Sequence, residues 1–168
     1  MTKLMIVDDC YLIIGSANIN DRSLLGSRDS EIAVFIEGPP NKQIDTGFDQ
    51  MMVNDKIHDF RKRLFEEHFG VDIEYPTSNN SWHLMYNIAA SNTMVYNSVF
   101  KVYPSNEYAN FDQLMKRNAQ FDPDLFNQKI HEVKGHAVLY PYEFLRDEDL
   151  ANTSGELALL VVPFYALQ

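Results

Sequence analysis

The chain has 168 residues, 45% of them apolar, which suits one ordinary domain or part of a larger one and excludes a largely disordered protein. Its net charge of −10 argues against nucleic acid as a partner, because phosphate backbones are held by clustered lysines and arginines. The single cysteine, Cys10, excludes an intrachain disulfide and favours a reducing compartment. No apolar run reaches the roughly 18 residues that a membrane span needs.

Short apolar runs near the start of the chain predict β-strands. Residues 3–7 and 11–14 indicate two buried strands joined by a tight turn, and residues 31–36 indicate a third strand that ends before Gly38. A helical turn is expected within residues 21–26. Because a strand starts almost at residue 3, where chain ends are usually loose, we expect upstream sequence to be missing.

The remainder of the chain predicts mainly helices. Residues 40–47 are polar and predict a loop, whereas from Asp49 the apolar residues take helical spacing. Gly70 stands where the C-terminal glycine of a helix belongs, and Ser81 is expected to cap a second helix that Pro104 ends. The shorter elements expected further on are helices at 107–118 and 123–132 and extended runs at 136–140 and 157–162.

A set of polar residues with fixed spacing follows the first strands. Lys3 is followed after four residues by Asp8, and after six more by Gly15 and Ser16, with Asn18 two positions beyond. Gly15 lets the backbone turn sharply and approach a ligand, while the loop offers a hydroxyl, an amide and N–H groups. A lysine cation beside such donors can hold a phosphate group.

Glu31 stands at the start of the third predicted strand. A carboxylate at this position can orient an imidazole by accepting its ring N–H. No histidine is near it in the sequence, since the five histidines lie far downstream. The last three of them lack the spacing of metal ligands, and no metal site is predicted. The five histidines are His58, His68, His83, His131 and His136.

The spacing from Lys3 to Asn18 resembles the second half of the HxKxxxxDxxxxxxGSxN signature of the phospholipase D superfamily. The continuation to Glu31 is similar to the second such motif of the eukaryotic, phosphatidylcholine-cleaving members. Residues 90–106 and 134–145 are similar to later segments of that family. The chain thereby resembles the C-terminal part of a eukaryotic-type phospholipase D.

Two positions depart from the family pattern. The histidine of the signature falls at position 1, where this chain has Met1, and we interpret this as a reading frame that starts inside the motif. The family commonly ends in Glu-Val-Trp-Thr, whereas residues 163–168 differ, which suggests an altered C-terminus.

The resemblance implies an α/β fold: a mixed β-sheet flanked by helices, as one half of the two-lobed phospholipase D fold. Residues 1–168 would form a fragment of the C-terminal catalytic lobe. Within it, residues 1–38 would carry the second HKD motif, and residues 48–168 would form the helical and C-terminal region.

The resemblance also implies a reaction: metal-independent hydrolysis of phosphatidylcholine to phosphatidic acid and choline, and transphosphatidylation, through a phosphohistidine. Lys3 and Asn18 would bind the phosphate, Glu31 would pair with a catalytic histidine, and Asp8, though part of the catalytic motif, would tie the two strands together. Gly15 and Ser16 would complete the substrate-binding loop. The isolated chain is expected to be inactive, because it has Met1 in place of histidine and lacks the first motif.

The expected partners are a phospholipid, phosphatidylcholine, at a membrane surface, and a missing N-terminal catalytic lobe, with no nucleic acid. The resemblance implies no required cofactor and allows activation by phosphoinositides. It implies a cytoplasmic protein, peripheral at membranes. Two alternatives stay open. One is a non-catalytic phospholipid-binding module. The other is a different enzyme of the superfamily, either a phosphodiesterase such as a nuclease or a phosphatidyltransferase.

Overall fold

The computed structural model describes residues 3–73, 75–118 and 120–150. These fall into two compact units, and the division lies within one long helix, after residue 92. The first unit holds the chain up to that point and residues 133–138, and the second holds the remaining described residues. Strands and helices are both well represented, which confirms the predicted α/β class. No helix in the described ranges is long and apolar enough to cross a membrane.

The first unit contains a three-stranded antiparallel sheet with the order β1-β2-β3. Its strands are β1 (Lys3–Val7), β2 (Tyr11–Gly15) and β3 (Ala33–Glu37). A four-residue helix, α1 (Asp21–Leu24), lies between β2 and β3 in the chain. The strands lie close to their predicted positions, although the third begins two residues later than expected.

The tight turn predicted between the first two strands is present. Asp8 and Asp9 both have positive φ, 53° and 50°, and the Cys10 N–H donates to the Val7 carbonyl at 3.0 Å. Positive φ at both central residues is the requirement of a type I′ hairpin turn, and aspartate tolerates this left-handed region better than most side chains.

The prediction that β1 and β2 are buried is wrong for most of their length. Leu12 is the buried member of β2, while β1 and β3 have no buried residue. Met5 and Phe35 are more than half exposed, at 54% and 60%. Apolar sequence shows that a strand is suited to burial, but burial also needs a layer that covers the sheet face.

A second, two-stranded sheet replaces the predicted loop. β4 (Lys42–Asp45) pairs antiparallel with β5 (Gln50–Val53). The Asp45 carboxylate accepts the Gly47 N–H at 2.8 Å in the connecting turn. The loop prediction failed because β4 is polar and exposed, so it lacks the apolar alternation that marks a strand.

Helix α2 (Asp55–Phe69) begins six residues later than the apolar spacing suggested. Asn54 caps it, since its side chain accepts the Ile57 N–H at 3.3 Å. Gly70 ends it in the left-handed conformation, with its N–H donating to the Glu66 carbonyl at 2.7 Å. The predicted role of Gly70 is therefore confirmed.

Helix α3 (Asn79–Phe100) starts earlier than predicted. The Ser78 hydroxyl accepts the Ser81 N–H at 3.1 Å, so Ser78 occupies the capping position that we expected of Ser81. The helix ends before Lys101, whose φ is 49°, and so stops short of Pro104.

The second unit continues with α4 (Phe111–Met115), α5 (Pro123–Lys129) and a 3-10 turn (Ile130–Glu132). Both helices are shorter than predicted. No strand forms at residues 136–140, and the extended run predicted at 157–162 lies outside the described residues. The apolar side chains buried in this unit include Val95, Val99, Leu114 and Leu145.

Candidate active site

The three strands bring Lys3 to one end of the sheet. In the strand register Lys3 faces Gly15, and Gly15 faces Ala33, so these positions form a row across the sheet. Gly15 is required there because a Cβ on it would lie 2.7 Å from the Ala33 Cβ and 2.9 Å from the Ile32 carbonyl oxygen. Its missing side chain therefore admits β3, and contact of Gly15 with a ligand stays a prediction.

Ser16 is the residue that follows Gly15 at the end of β2, and its side chain holds Glu31. The Ser16 N–H donates to the Ile32 carbonyl at 3.0 Å, and the Ile32 N–H donates to the Ser16 hydroxyl at 3.1 Å. The same hydroxyl donates a short hydrogen bond to Oε2 of Glu31. The backbone of the serine thus continues the β2–β3 pairing while its side chain orients the carboxylate.

Ser23 is a member of the site that sequence reasoning missed. Its hydroxyl accepts the Asn18 N–H at 3.0 Å and donates to Oε1 of Glu31 at 2.5 Å. Asn20 caps α1 by accepting the Ser23 N–H at 3.1 Å. The spacing of Asn20 and Ser23 is a helix-start signal that could have revealed the turn, but not the side-chain contacts.

The hydrogen bonds from Ser16 and Ser23 lower the pKa of Glu31, and the positive charges of Lys3 and Arg22 contribute in the same direction. The carboxylate is therefore charged at neutral pH. Its two described hydrogen-bond partners are serines, and an oxygen with a remaining lone pair can still accept an imidazole N–H.

The structure thus brings together five of the six predicted site residues and separates one. Lys3, Gly15, Ser16 and Glu31 share one end of the sheet, and Asn18 is joined to them through its backbone. Asp8 lies in the turn at the other end of β1, about 16 Å away at the usual strand rise. Its place in the turn fits the strand-tying role, and its catalytic role stays a prediction.

Asp9, the neighbour of the motif aspartate, is the one that enters the interior. It is 6% exposed, its Oδ2 lies 2.8 Å from His58 Nδ1, and its Oδ1 accepts from Arg61 Nε at 2.7 Å. No local signal in the sequence distinguishes Asp9 from Asp8, because the partners come from α2.

Among the described residues, no three His, Cys, Asp or Glu side chains are grouped as metal ligands would be. His58 is engaged with Asp9 at the turn end of the sheet. At the other end, the Lys3 ammonium and the Asn18 side-chain amide are donors of the kind that hold a phosphoryl group, whereas the hydroxyl protons of Ser16 and Ser23 are directed to Glu31.

The fold and this site define an α/β protein with a lysine and an oriented carboxylate beside a glycine–serine loop. The phospholipase D family model matches residues 1–108, more than half of the chain. The chain therefore belongs to the phospholipase D family, as the motif resemblance indicated.

Named relatives agree with this assignment. Phospholipase D2 of Bos taurus is 34% identical over 92% of the chain and 18% of its own length. Phospholipase D of Phytophthora infestans is 35% identical over 89% of the chain and 9% of its own length. Phospholipase D1 of Homo sapiens is 31% identical over 95% of the chain and 16% of its own length. The chain spans less than a fifth of the length of these relatives.

Proposed function

We propose that this chain supplies one phosphate-binding half of a phospholipase D active site. The assembled enzyme would hydrolyse phosphatidylcholine to phosphatidic acid and choline. The observation that supports this most directly is the joint placement of Lys3 and the oriented Glu31 carboxylate at one end of the sheet, with Ser16 between their strands. The phospholipid substrate comes from the family, and the head group is part of the proposal.

In the proposed reaction the Lys3 ammonium and the Asn18 amide offset the negative charge of the phosphoryl oxygens. One histidine attacks phosphorus, and the phosphorus–oxygen bond to choline breaks as a second histidine gives that oxygen a proton. Water then attacks the phosphohistidine, returning a proton to the second histidine and releasing phosphatidic acid. An alcohol in place of water gives transphosphatidylation. Glu31 would accept the ring N–H of one of these imidazoles.

Both histidines would have to be added to the chain described here. Position 1, where the signature has histidine, holds Met1, and the 168 residues contain one such motif. Loss of an acid–base group alone costs on the order of a hundredfold to ten-thousandfold in rate. We therefore propose that the 168 residues by themselves have no turnover, and that a histidine at position 1 together with an N-terminal catalytic lobe would complete the site.

The proposal also covers the location of the protein and its need for metal ions, activators and nucleic acid. The substrate would be met at a membrane surface, with the protein peripheral and cytoplasmic. No metal ion would be required, because the Lys3 ammonium and the Asn18 side-chain amide would offset the charge of the phosphate. Phosphoinositide activation is proposed from family membership alone, and nucleic acid is disfavoured by the net charge of −10.

The test has two parts that use the same purified chain. Choline release from phosphatidylcholine vesicles is measured with and without EDTA, and inorganic phosphate is titrated while the Asn18 amide signal is followed by NMR. We expect no choline release above buffer, and a saturable shift of Asn18 that EDTA does not change. Lys3→Ala should abolish the shift, while Lys56→Ala, at an exposed position in α2, should leave it intact.

Each part has a contrary result. Choline release by the pure chain that Lys3→Ala abolishes would overturn the proposed inactivity. A phosphate titration without effect on Asn18, or with equal effect in Lys3→Ala, would overturn the phosphate site.

A non-catalytic phospholipid-binding module is the second candidate. The combination of Met1 at the histidine position with an intact Lys3, Ser16 and Glu31 arrangement favours binding without turnover. Co-sedimentation with phosphatidic acid vesicles that is lost in Lys3→Ala, together with no choline release from a Met1→His variant mixed with a complementary N-terminal lobe, would favour this candidate over the enzyme.

A further inference from the structure

One hydroxyl group connects the two separate parts of the candidate active site. The Ser23 hydroxyl accepts the backbone N–H of Asn18 at 3.0 Å and donates to Oε1 of Glu31 at 2.5 Å. Ser23 is half-buried, whereas the other residues from 21 to 30 are exposed. Both described partners of the hydroxyl lie outside α1, so the side chain serves the site rather than its own helix.

We propose that Ser23 is a positioning residue that fixes the Asn18 loop and the Glu31 carboxylate in one arrangement. A contribution of Ser23 to catalysis rests on the proposed function, whereas its effect on the positions of Asn18 and Glu31 does not. The role is distinct from that of Ser16, which holds the other carboxylate oxygen.

The directions of these bonds follow from the donors available. A serine hydroxyl has one proton and can accept as well. The Asn18 N–H can only donate, so the hydroxyl accepts there and its own proton goes to Glu31. With Ser16 on Oε2 and Ser23 on Oε1, both oxygens are held and the plane of the carboxylate is fixed.

The position of Ser23 is itself set by the start of α1. The Asn20 side chain accepts the Ser23 N–H at 3.1 Å, and the Asn20 carbonyl accepts the Leu24 N–H at 3.0 Å. The Arg22–Asp29 ion pair, at 2.8 Å, closes the loop that leads from α1 back to Glu31. These local contacts hold Ser23 in a position from which its hydroxyl bonds Asn18, before α1 in the chain, and Glu31, after it.

The experiment compares four variants of the isotope-labelled full chain: Ser23→Ala, Ser23→Thr, Ser16→Ala and Ser27→Ala. Two quantities are measured by NMR in the folded protein: the titration of the Glu31 side-chain carboxyl and the hydrogen exchange of the Asn18 amide. Ser27 is an exposed serine of the same loop whose hydroxyl takes no part in this network, so it is the matched control.

We expect Ser23→Ala to raise the pKa of Glu31 and to speed exchange of the Asn18 amide by about fivefold to tenfold, as loss of one hydrogen bond predicts. Ser16→Ala should raise the pKa of Glu31 and leave Asn18 exchange unchanged. Ser27→Ala should change neither quantity. Ser23→Thr retains the hydroxyl and should restore both toward the wild-type values.

Unchanged Glu31 titration and Asn18 exchange in a folded Ser23→Ala would overturn the proposal. If Ser23→Ala does not fold, Ser23→Thr and the wild type decide through the Asn18 amide, which bonds Ser23 and not Ser16: protection from exchange in both proteins supports the proposal, and unprotected exchange in both overturns it. A positive result here together with no phosphate binding would reject the proposed function while leaving the positioning role of Ser23 in place.

Discussion

Oδ1 of Asp9 lies 2.7 Å from Nε of Arg61, and this contact ties the β1–β2 turn to helix α2. A second bond, from Arg61 Nη2 to Oδ2 at 2.8 Å, makes the pair bidentate, and Nδ1 of His58 lies 2.8 Å from the same oxygen. The hairpin that carries Lys3 at its open end is therefore anchored at its turn end.

Asp9→Asn should destabilise the chain by about 3 kcal/mol, because it leaves the Arg61 guanidinium inside without its counter-charge. Asparagine tolerates the left-handed backbone at this position, so the variant isolates the charge. Asp8→Asn, at the adjacent exposed position with the same backbone region, should cost less than about 0.5 kcal/mol. Urea unfolding of both variants measures the difference, and equal costs would contradict the anchoring role of Asp9.

The same ion pair predicts a loss of stability in acid. Burial raises the pKa of Asp9, but the hydrogen bonds and charges of Arg61 and His58 outweigh burial, and the net pKa lies below the ordinary 3.8. Because the pKa of Asp9 is lower in the folded state, its contribution to stability is complete above the pKa of the unfolded state. That contribution is lost as the pH falls through the pKa of the folded state. The stability difference between wild type and Asp9→Asn should thus shrink as the pH falls below 3.8. A difference that stays constant down to pH 2 would argue against the lowered pKa.

The clamp made by Asn92 gives a separate test of the first unit. Asn92 is 1% exposed, and its amide donates to the carbonyls of Lys134 and Ala137 at 2.7 and 2.9 Å while accepting the Lys134 N–H at 3.0 Å. Asn92→Ala leaves these backbone groups unpaired, so we expect a loss of about 3 kcal/mol.

Asn87→Ala is the matched control for this clamp, because Asn87 lies on an exposed position of the same helix. We expect it to be neutral or slightly stabilising, since alanine has the higher helix propensity. Thermal unfolding of the two variants measures the difference. Similar melting temperatures would show that the clamp contributes little.

Features set by residues close together in the chain could be predicted from the sequence, and features set by distant residues could not. The strands β1, β2 and β3, the tight turn and the end of α2 at Gly70 follow from local signals, whereas β4 and β5 do not. Asp9 is buried and Asp8 is not because Asp9 pairs with Arg61, which is 52 residues away in the chain. Local sequence signals cannot predict a contact over such a separation. The role of Ser23 likewise depends on Glu31 returning to it through a loop.

Gly15 tests whether the spacing of two strands sets the geometry of the site. A Cβ at Gly15 would lie 2.7 Å from the Ala33 Cβ, closer than real contacts allow, so Gly15→Ala must push β3 away from β2. Overpacking of this kind costs about 1–3 kcal/mol. The displacement falls next to the Ser16–Ile32 backbone bonds, so the Ser16–Glu31 contact should weaken and the pKa of Glu31 should rise.

The control for this variant is Gly26→Ala, because a Cβ at Gly26 meets no atom within 4 Å. It should leave both stability and the Glu31 titration close to wild type. Urea unfolding and NMR titration of the Glu31 carboxyl measure the two effects in the same samples. A Gly15→Ala variant that loses stability but keeps the wild-type Glu31 titration would show that the hydrogen bonds to the carboxylate do not depend on the spacing of β2 and β3. The strand spacing would then matter for the fold and not for the site.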